Sequence, residues 1–230
     1  MTRVPEPLEE ALGYRFRDRA LLRQALVHPS SGVRPDNQRL EFLGDALLNA
    51  SLSLLLYREK PEWPEGAMTK LGNHLVSTDS LCDWARDLEL RLTLPTKVDP
   101  SLLRTSFHKP LADAVEALLA AVFLDASAAG GDGLAAVSRL VEGRFLQAVR
   151  EATPDGWRRF DPKTALQEWA MARKLPLPVY GKAERSGPEH ALVYTVRVAC
   201  GGREATGSSH ALRQAQAEAA RALLAALEQG

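Results

Sequence analysis

Over most of the first 150 residues, apolar positions recur every three or four residues, the period of a helix with one face turned inward. Leu8-Glu9-Glu10-Ala11-Leu12 and the stretch from Ala20 to Leu26 open the pattern. Leu40, Leu43, Leu47, Ala50 and Leu54 continue it in one longer helix, with Asn37 placed to cap its start and Pro61 and Pro64 to stop it. The same spacing predicts helices near 68–77, 80–88, 109–126 and 134–152. Val4 to Pro7 and Pro29 to Pro35 are punctuation. Nothing before residue 150 has the period of a strand, and no segment repeats.

Composition and period change around Thr153-Pro154-Asp155-Gly156. Thr164 to Arg173 again has helical spacing, whereas Pro176-Leu177-Pro178-Val179-Tyr180 is extended, because proline drives its predecessor out of the helical region. Residues 190–199 are rich in β-branched side chains, Gly201-Gly202 predicts a hairpin turn, and Ala211 to Leu227 is an alanine-rich helix. The expected architecture is therefore multi-domain. An all-α domain spans 1–152, a linker 153–160, and a small α+β module of order α-β-β-β-α spans 161–228.

The composition is that of a globular chain, 45% hydrophobic and 25% charged. Its 29 basic and 29 acidic residues cancel, so no overall charge announces a polyanionic partner. Two cysteines, Cys82 and Cys200, exclude a Cys-only zinc cluster and argue against a disulfide framework. The longest apolar run, Ala117 to Leu124, is far short of the roughly 18 residues needed to span a bilayer. The first turns hold Glu6, Glu9 and Glu10 rather than an apolar leader core. The expectation is a cytoplasmic chain with no membrane partner.

Two acidic pairs are the candidate chemistry. Glu41 and Asp45 are four apart in one helical segment, and Asp113 and Glu116 three apart in another, so each pair shares a face. From Leu111 to Leu124 there is no other charge. Buried carboxylates without a cationic neighbour are costly unless paired, protonated or bound to metal. Helices packed antiparallel could bring the four together, where they would raise one another's pKa values or recruit a divalent ion. Oxygen-only ligands suit Mg²⁺ or Mn²⁺ rather than zinc. The spacing admits a second reading, in which each pair is the solvated side of an amphipathic helix. Di-iron carboxylate chemistry fails, because no histidine has Glu three residues before it. His-Glu-x-x-His, Gly-x-Ser-x-Gly and a phosphate-cradling glycine loop are all absent.

Asn37-Gln38-Arg39-Leu40-Glu41-Phe42-Leu43-Gly44-Asp45-Ala46-Leu47-Leu48 resembles the signature of bacterial ribonuclease III. So do Leu12-Gly13-Tyr14-Arg15-Phe16, Ala25-Leu26-Val27-His28-Pro29-Ser30, Glu65-Gly66-Ala67-Met68-Thr69-Lys70-Leu71 and Leu111-Ala112-Asp113-Ala114-Val115-Glu116-Ala117-Leu118, in the family's order. The resemblance implies a metal-dependent endoribonuclease that cuts double-stranded RNA to 5′-phosphate and 3′-hydroxyl ends, processing rRNA precursors and other structured transcripts. It implies Asp45 and Glu116 as catalytic residues, Glu41, Asp113 and Glu116 as metal ligands, and Glu65 as an accessory acid. Mg²⁺ is the implied ion, with Mn²⁺ able to substitute. It further implies a homodimer through the nuclease domain, with Phe42 plugging a pocket on the partner. Where the family usually has an acid, this chain has Gln38.

Residues 161–170, Ser186 to His190 and Tyr194 to Val198 resemble a double-stranded RNA-binding domain, which touches successive minor grooves where 2′-hydroxyls mark RNA. The matching contacts are Gln167, Glu168 and His190. Of the basic pair that normally opens the last helix only Arg213 remains, which implies weaker, dimer-dependent binding with a shallow salt dependence. Two rival expectations are a duplex-binding protein that has lost cleavage and a helical interaction protein with solvated acidic faces. Trp63, Trp84, Trp157 and Trp169 are explained by packing.

Overall fold

In the computed structural model, which describes residues 6–94, 108–188 and 191–229, the chain divides into two units, Met1–Pro154 and Asp155–Gly230. The first holds helices α1 (Glu6–Leu12), α2 (Arg19–Ala25), α3 (Gln38–Glu59), α4 (Glu65–Leu75), α5 (Thr78–Asp87), α6 (His108–Ala128) and α7 (Gly133–Glu151). α6 is apolar all round because it is the helix the others surround: α2, α3, α5 and α7 pack against it. Every residue from Ala117 to Val122 is buried, including Leu118 and Leu119, each worth about 2 kcal/mol on leaving water. α3 buries Leu40, Gly44, Leu48, Ser51, Leu52, Leu55 and Leu56 along one stripe. Its opposite side keeps Phe42, Leu54 and Tyr57 exposed.

A buried carboxylate ties the N-terminal segment to α6. Asp125 accepts hydrogen bonds from the Tyr14 hydroxyl at 2.8 Å and from the backbone amides of Arg17 and Asp18 at 3.1 and 2.7 Å. Burial alone would raise its pKa, but the amides of Asp18 and Arg17 and the Tyr14 hydroxyl outweigh burial and hold it below the usual carboxylate range. Burial, with the same bond, pushes Tyr14 up to about 12.

The second unit contains α8 (Pro162–Ala172), β1 (Val179–Tyr180), β2 (Glu184–Ser186), β3 (Val193–Cys200), β4 (Arg203–Ser209) and α9 (Leu212–Glu228). β4 pairs antiparallel along all of β3 from Tyr194 to Cys200. β1 and β2 therefore share the other edge of β3, opposite residues 198–199 and 193–195 respectively. They are one strand interrupted at 181–183, so the order is α-β-β-β-α with a split first strand. Gly201 and Gly202 both have positive φ (59° and 77°), which a two-residue hairpin matching strand twist requires. α9 lies directly on β4. A Cβ on Gly207 would stand 2.1 Å from the Ala219 amide nitrogen, so glycine opposite alanine permits this approach.

The structure corrects several expectations. Asn37 stands at the N-cap of α3 but makes no capping hydrogen bond, because its backbone is already helical (φ −86°, ψ −7°) and its side chain turns inward. That side chain is 1% exposed, and neither its amide nitrogen nor its oxygen has a partner. Pro64 does not merely end α3; it is the extended N-cap from which α4 begins at Glu65, earlier than the apolar spacing indicated. In the stretch read as a linker, Gly156–Arg159 forms a 3₁₀ turn, and Trp157 is buried in the second unit's core. β2 was not legible, since Glu184-Arg185-Ser186 is exposed throughout and has no apolar alternation.

Candidate functional site

The two acidic pairs meet because α3 and α6 touch at a glycine. A Cβ placed on Gly44 would lie 1.8 Å from the Glu116 carbonyl oxygen, so only glycine lets the two backbones come this close. Gly44 sits between Glu41 and Asp45, and Glu116 follows Asp113 by one turn. The contact therefore carries both pairs into one cleft, lined by Glu41, Asp45, Asp113 and Glu116 together with Gln38, Phe42 and Lys109. Glu41, Asp113 and Glu116 each bring a carboxylate oxygen within 4.8 Å of the others. Asp45 is more exposed, and its Oδ1 accepts from Asn49 Nδ2 at 2.9 Å.

The electrostatics follow from this crowding. Burial, then the charges of Asp45, Asp113 and Glu41, push the Glu116 pKa up to about 7, against partial opposition from Lys109. Glu41 is raised by burial and by Asp113, while Lys109 and His28 pull it down. The solvated-face reading fails for Glu41, Asp113 and Glu116, which are half-buried and come from two helices to within 4.8 Å of one another. The apolar run from Leu111 to Leu124 does have a cationic neighbour, one turn upstream of Asp113. Lys109 Nζ is 2.7 Å from Asp113 Oδ1 and 3.7 Å from Glu41 Oε1. It lies just outside the run whose charges are Asp113 and Glu116 alone, and its i,i+4 spacing from Asp113 is the available signal.

The donor set is oxygen only and carries more negative charge than Lys109 neutralises, which fits a hard divalent cation. Glu41, Asp113 and Glu116 are the side chains placed to hold it. Glu65 opens α4, where its carboxylate accepts from the Thr69 hydroxyl at 2.7 Å, and it does not line this cleft. Phe42 does line it and is 82% exposed, more than any other large apolar side chain among the described residues.

In the second unit, Gln167 and Glu168 are exposed on α8, and Arg213 is exposed in the first turn of α9. That turn has neither an acidic residue nor a side-chain cap, so its amide ends suit an anion. His190 lies outside the described residues. Sequence reasoning missed Lys163 at the start of α8. Its ammonium sits 5.1 Å over the Tyr180 ring and donates to Gln216 of α9 at 2.8 Å, placing a cation between the two helices. The tryptophans pack as expected: Trp84 stacks edge-on against Phe145, and Trp63 and Trp169 lie under Lys60 and Arg173.

Residues 18–144 match the Ribonuclease-III-like family, and residues 162–227 match the double-stranded RNA binding motif. The chain is 40% identical to Ribonuclease 3 of Xanthomonas axonopodis over 219 residues, covering 90% of this chain and 91% of that protein. It is 36% identical to Ribonuclease 3 of Pasteurella multocida over 233 residues, covering 99% of each. Its structure is similar to the nuclease domain of ribonuclease III from Campylobacter jejuni, with a TM-score of 0.51 and 32% identity, over 61% of this chain and 98% of that one. With the four carboxylates in one cleft and an RNA-binding module following, the chain belongs to the ribonuclease III family and is an endoribonuclease.

Proposed function

We propose that this endoribonuclease hydrolyses both strands of duplex RNA, leaving 5′-phosphate and 3′-hydroxyl ends, with Mg²⁺ as its ion and Mn²⁺ able to replace it. The observation that carries this reading is the convergence of Glu41, Asp113 and Glu116 within 4.8 Å, with Asp45 lining the same cleft. Glu41, Asp113 and Glu116 would hold the cation, whose chemistry there would be activation of water and compensation of charge on the scissile phosphate. We assign Asp45 and Glu116 as the catalytic residues. Burial and the neighbouring carboxylates raise the Glu116 pKa to about 7, a penalty on its charged form that a bound cation would offset. Glu65 has an accessory role outside the cleft lining.

One cleft cuts one strand, so a duplex break requires two. Two-fold pairing of nuclease domains supplies the second. The exposed side of α3, with Phe42, Leu54 and Tyr57, is the face we assign to the partner, Phe42 entering a pocket there. The Campylobacter jejuni nuclease domain is itself described as having a region involved in dimer formation. Gln167, Glu168, His190 and Arg213 are assigned to the RNA contact. The substrates we assign are rRNA precursors and other structured transcripts in the cytoplasm.

The test incubates the full chain with an end-labelled RNA hairpin, with Mg²⁺ or with EDTA, alongside Glu116→Gln. Shortened products with 5′-phosphate ends, from the parent in Mg²⁺ alone, are expected. Retention of the hairpin on a gel with no cutting by the parent would replace this reading with that of a duplex-binding protein. Phe42→Glu should sediment as a monomer; a dimer of unchanged affinity removes Phe42 from the interface.

A further inference from the structure

Lys109 reaches into the carboxylate cluster from one turn before Asp113, and its Nζ lies 2.7 Å from Asp113 Oδ1 and 3.7 Å from Glu41 Oε1. Both acids belong to the trio whose oxygens come within 4.8 Å of one another. An ammonium hydrogen-bonded to these oxygens and a divalent ion held by them are two cations claiming the same charge. With Mg²⁺ roughly 2.0–2.1 Å from such oxygens and the ammonium 2.7 Å from one of them, the two cations would repel across a partly buried cleft. The lysine side chain is 72% exposed, so its ammonium can leave for solvent without disturbing the packed face of α6.

We propose that Lys109 is a tethered counter-ion, occupying the Glu41–Asp113 side of the cluster and competing there with the divalent ion, so that it sets the affinity of the cleft for metal. Lys109 is a positioning residue rather than a catalytic one. It holds the two carboxylates toward each other against their repulsion, and it withdraws when an ion takes them over. This rests on the divalent-ion reading of the cleft, and the two are separable by experiment.

The measurement is Mn²⁺ binding to the full chain without RNA, with free Mn²⁺ followed by its electron paramagnetic resonance signal. Parent, Lys109→Met, Lys109→Gln, Lys109→Arg and Lys182→Met are compared. Lys109→Met and Lys109→Gln should each bind Mn²⁺ at least tenfold more tightly than the parent. Lys109→Arg, which keeps the charge, and Lys182→Met, which removes a lysine from the second unit, should stay within about threefold. A lysine with a merely structural role would leave affinity unchanged or lower it when removed. Equal or weaker binding by both neutral variants therefore overturns the proposal alone. Absence of Mn²⁺ binding by every protein overturns it together with the divalent-ion reading.

Discussion

Replacing Glu116 by glutamine should stabilise the metal-free protein at alkaline pH while abolishing cleavage. The Glu116 pKa is raised from 4.5 to about 7, so the folded state prefers the neutral carboxyl. Between those values the folded chain binds a proton that the unfolded chain has released. By linkage, stability falls as pH rises through that window and stays low above it. At about 1.36 kcal/mol per pKa unit the full shift would be worth about 3 kcal/mol. Glu116 is only partly buried, so solvent screening reduces the figure to about 1–2 kcal/mol. Glutamine keeps the shape without the charge and removes the penalty. For a chain of this size the gain is about 4 °C in melting temperature. Thermal unfolding in EDTA at pH 8 and pH 5, followed by circular dichroism, reads it: the variant should melt higher at pH 8, with the gap closing toward pH 5. A variant that melts at or below the parent at pH 8, or a gap independent of pH, would refute the reasoning that crowded carboxylates strain this cleft.

Gly44→Ala would drive a methyl into the Glu116 carbonyl and should cost about 3 kcal/mol or more in urea unfolding, with loss of cleavage; a cost under about 1 kcal/mol would mean the helices part without consequence. Tyr14→Phe removes one of three donors to Asp125 and should cost about 1–2 kcal/mol. Because the Asp125 pKa is depressed, that carboxylate's contribution is complete above its unfolded value and is lost as pH falls through its folded one. Asp125→Asn should therefore approach the parent's stability only in acid well below the ordinary carboxylate value of 3.8, and a gap that does not narrow there would contradict the assignment. Glu89 and Lys174 adopt positive φ (51° and 55°) just past α5 and α8, where Leu90 and Leu175 donate back to Ala85 and Ala170. Glycine at either position should raise stability by about 0.5–1 kcal/mol in thermal melts, and a decrease would show that the side chains themselves hold the turns.

The helical nuclease half was legible in the sequence because a three-to-four residue apolar period is local information, and α3, α6 and α7 carry it over many turns. The acids were legible for the same reason, since their spacing placed Glu41 with Asp45 and Asp113 with Glu116 on shared faces. Their convergence was not. Contact between α3 and α6 depends on a missing side chain at Gly44, and spacing within either helix says nothing about which helix lies opposite. Lys109 entered the cluster, and Asn37 abandoned its cap for the interior, through the same long-range packing. The short β2 strand has no pattern of its own and exists by pairing with β3. Periodicity is written residue by residue along a chain. The pKa of Glu116 and the competition for its neighbours arise only once distant residues share a small volume from which water is largely removed, where charge is felt most strongly.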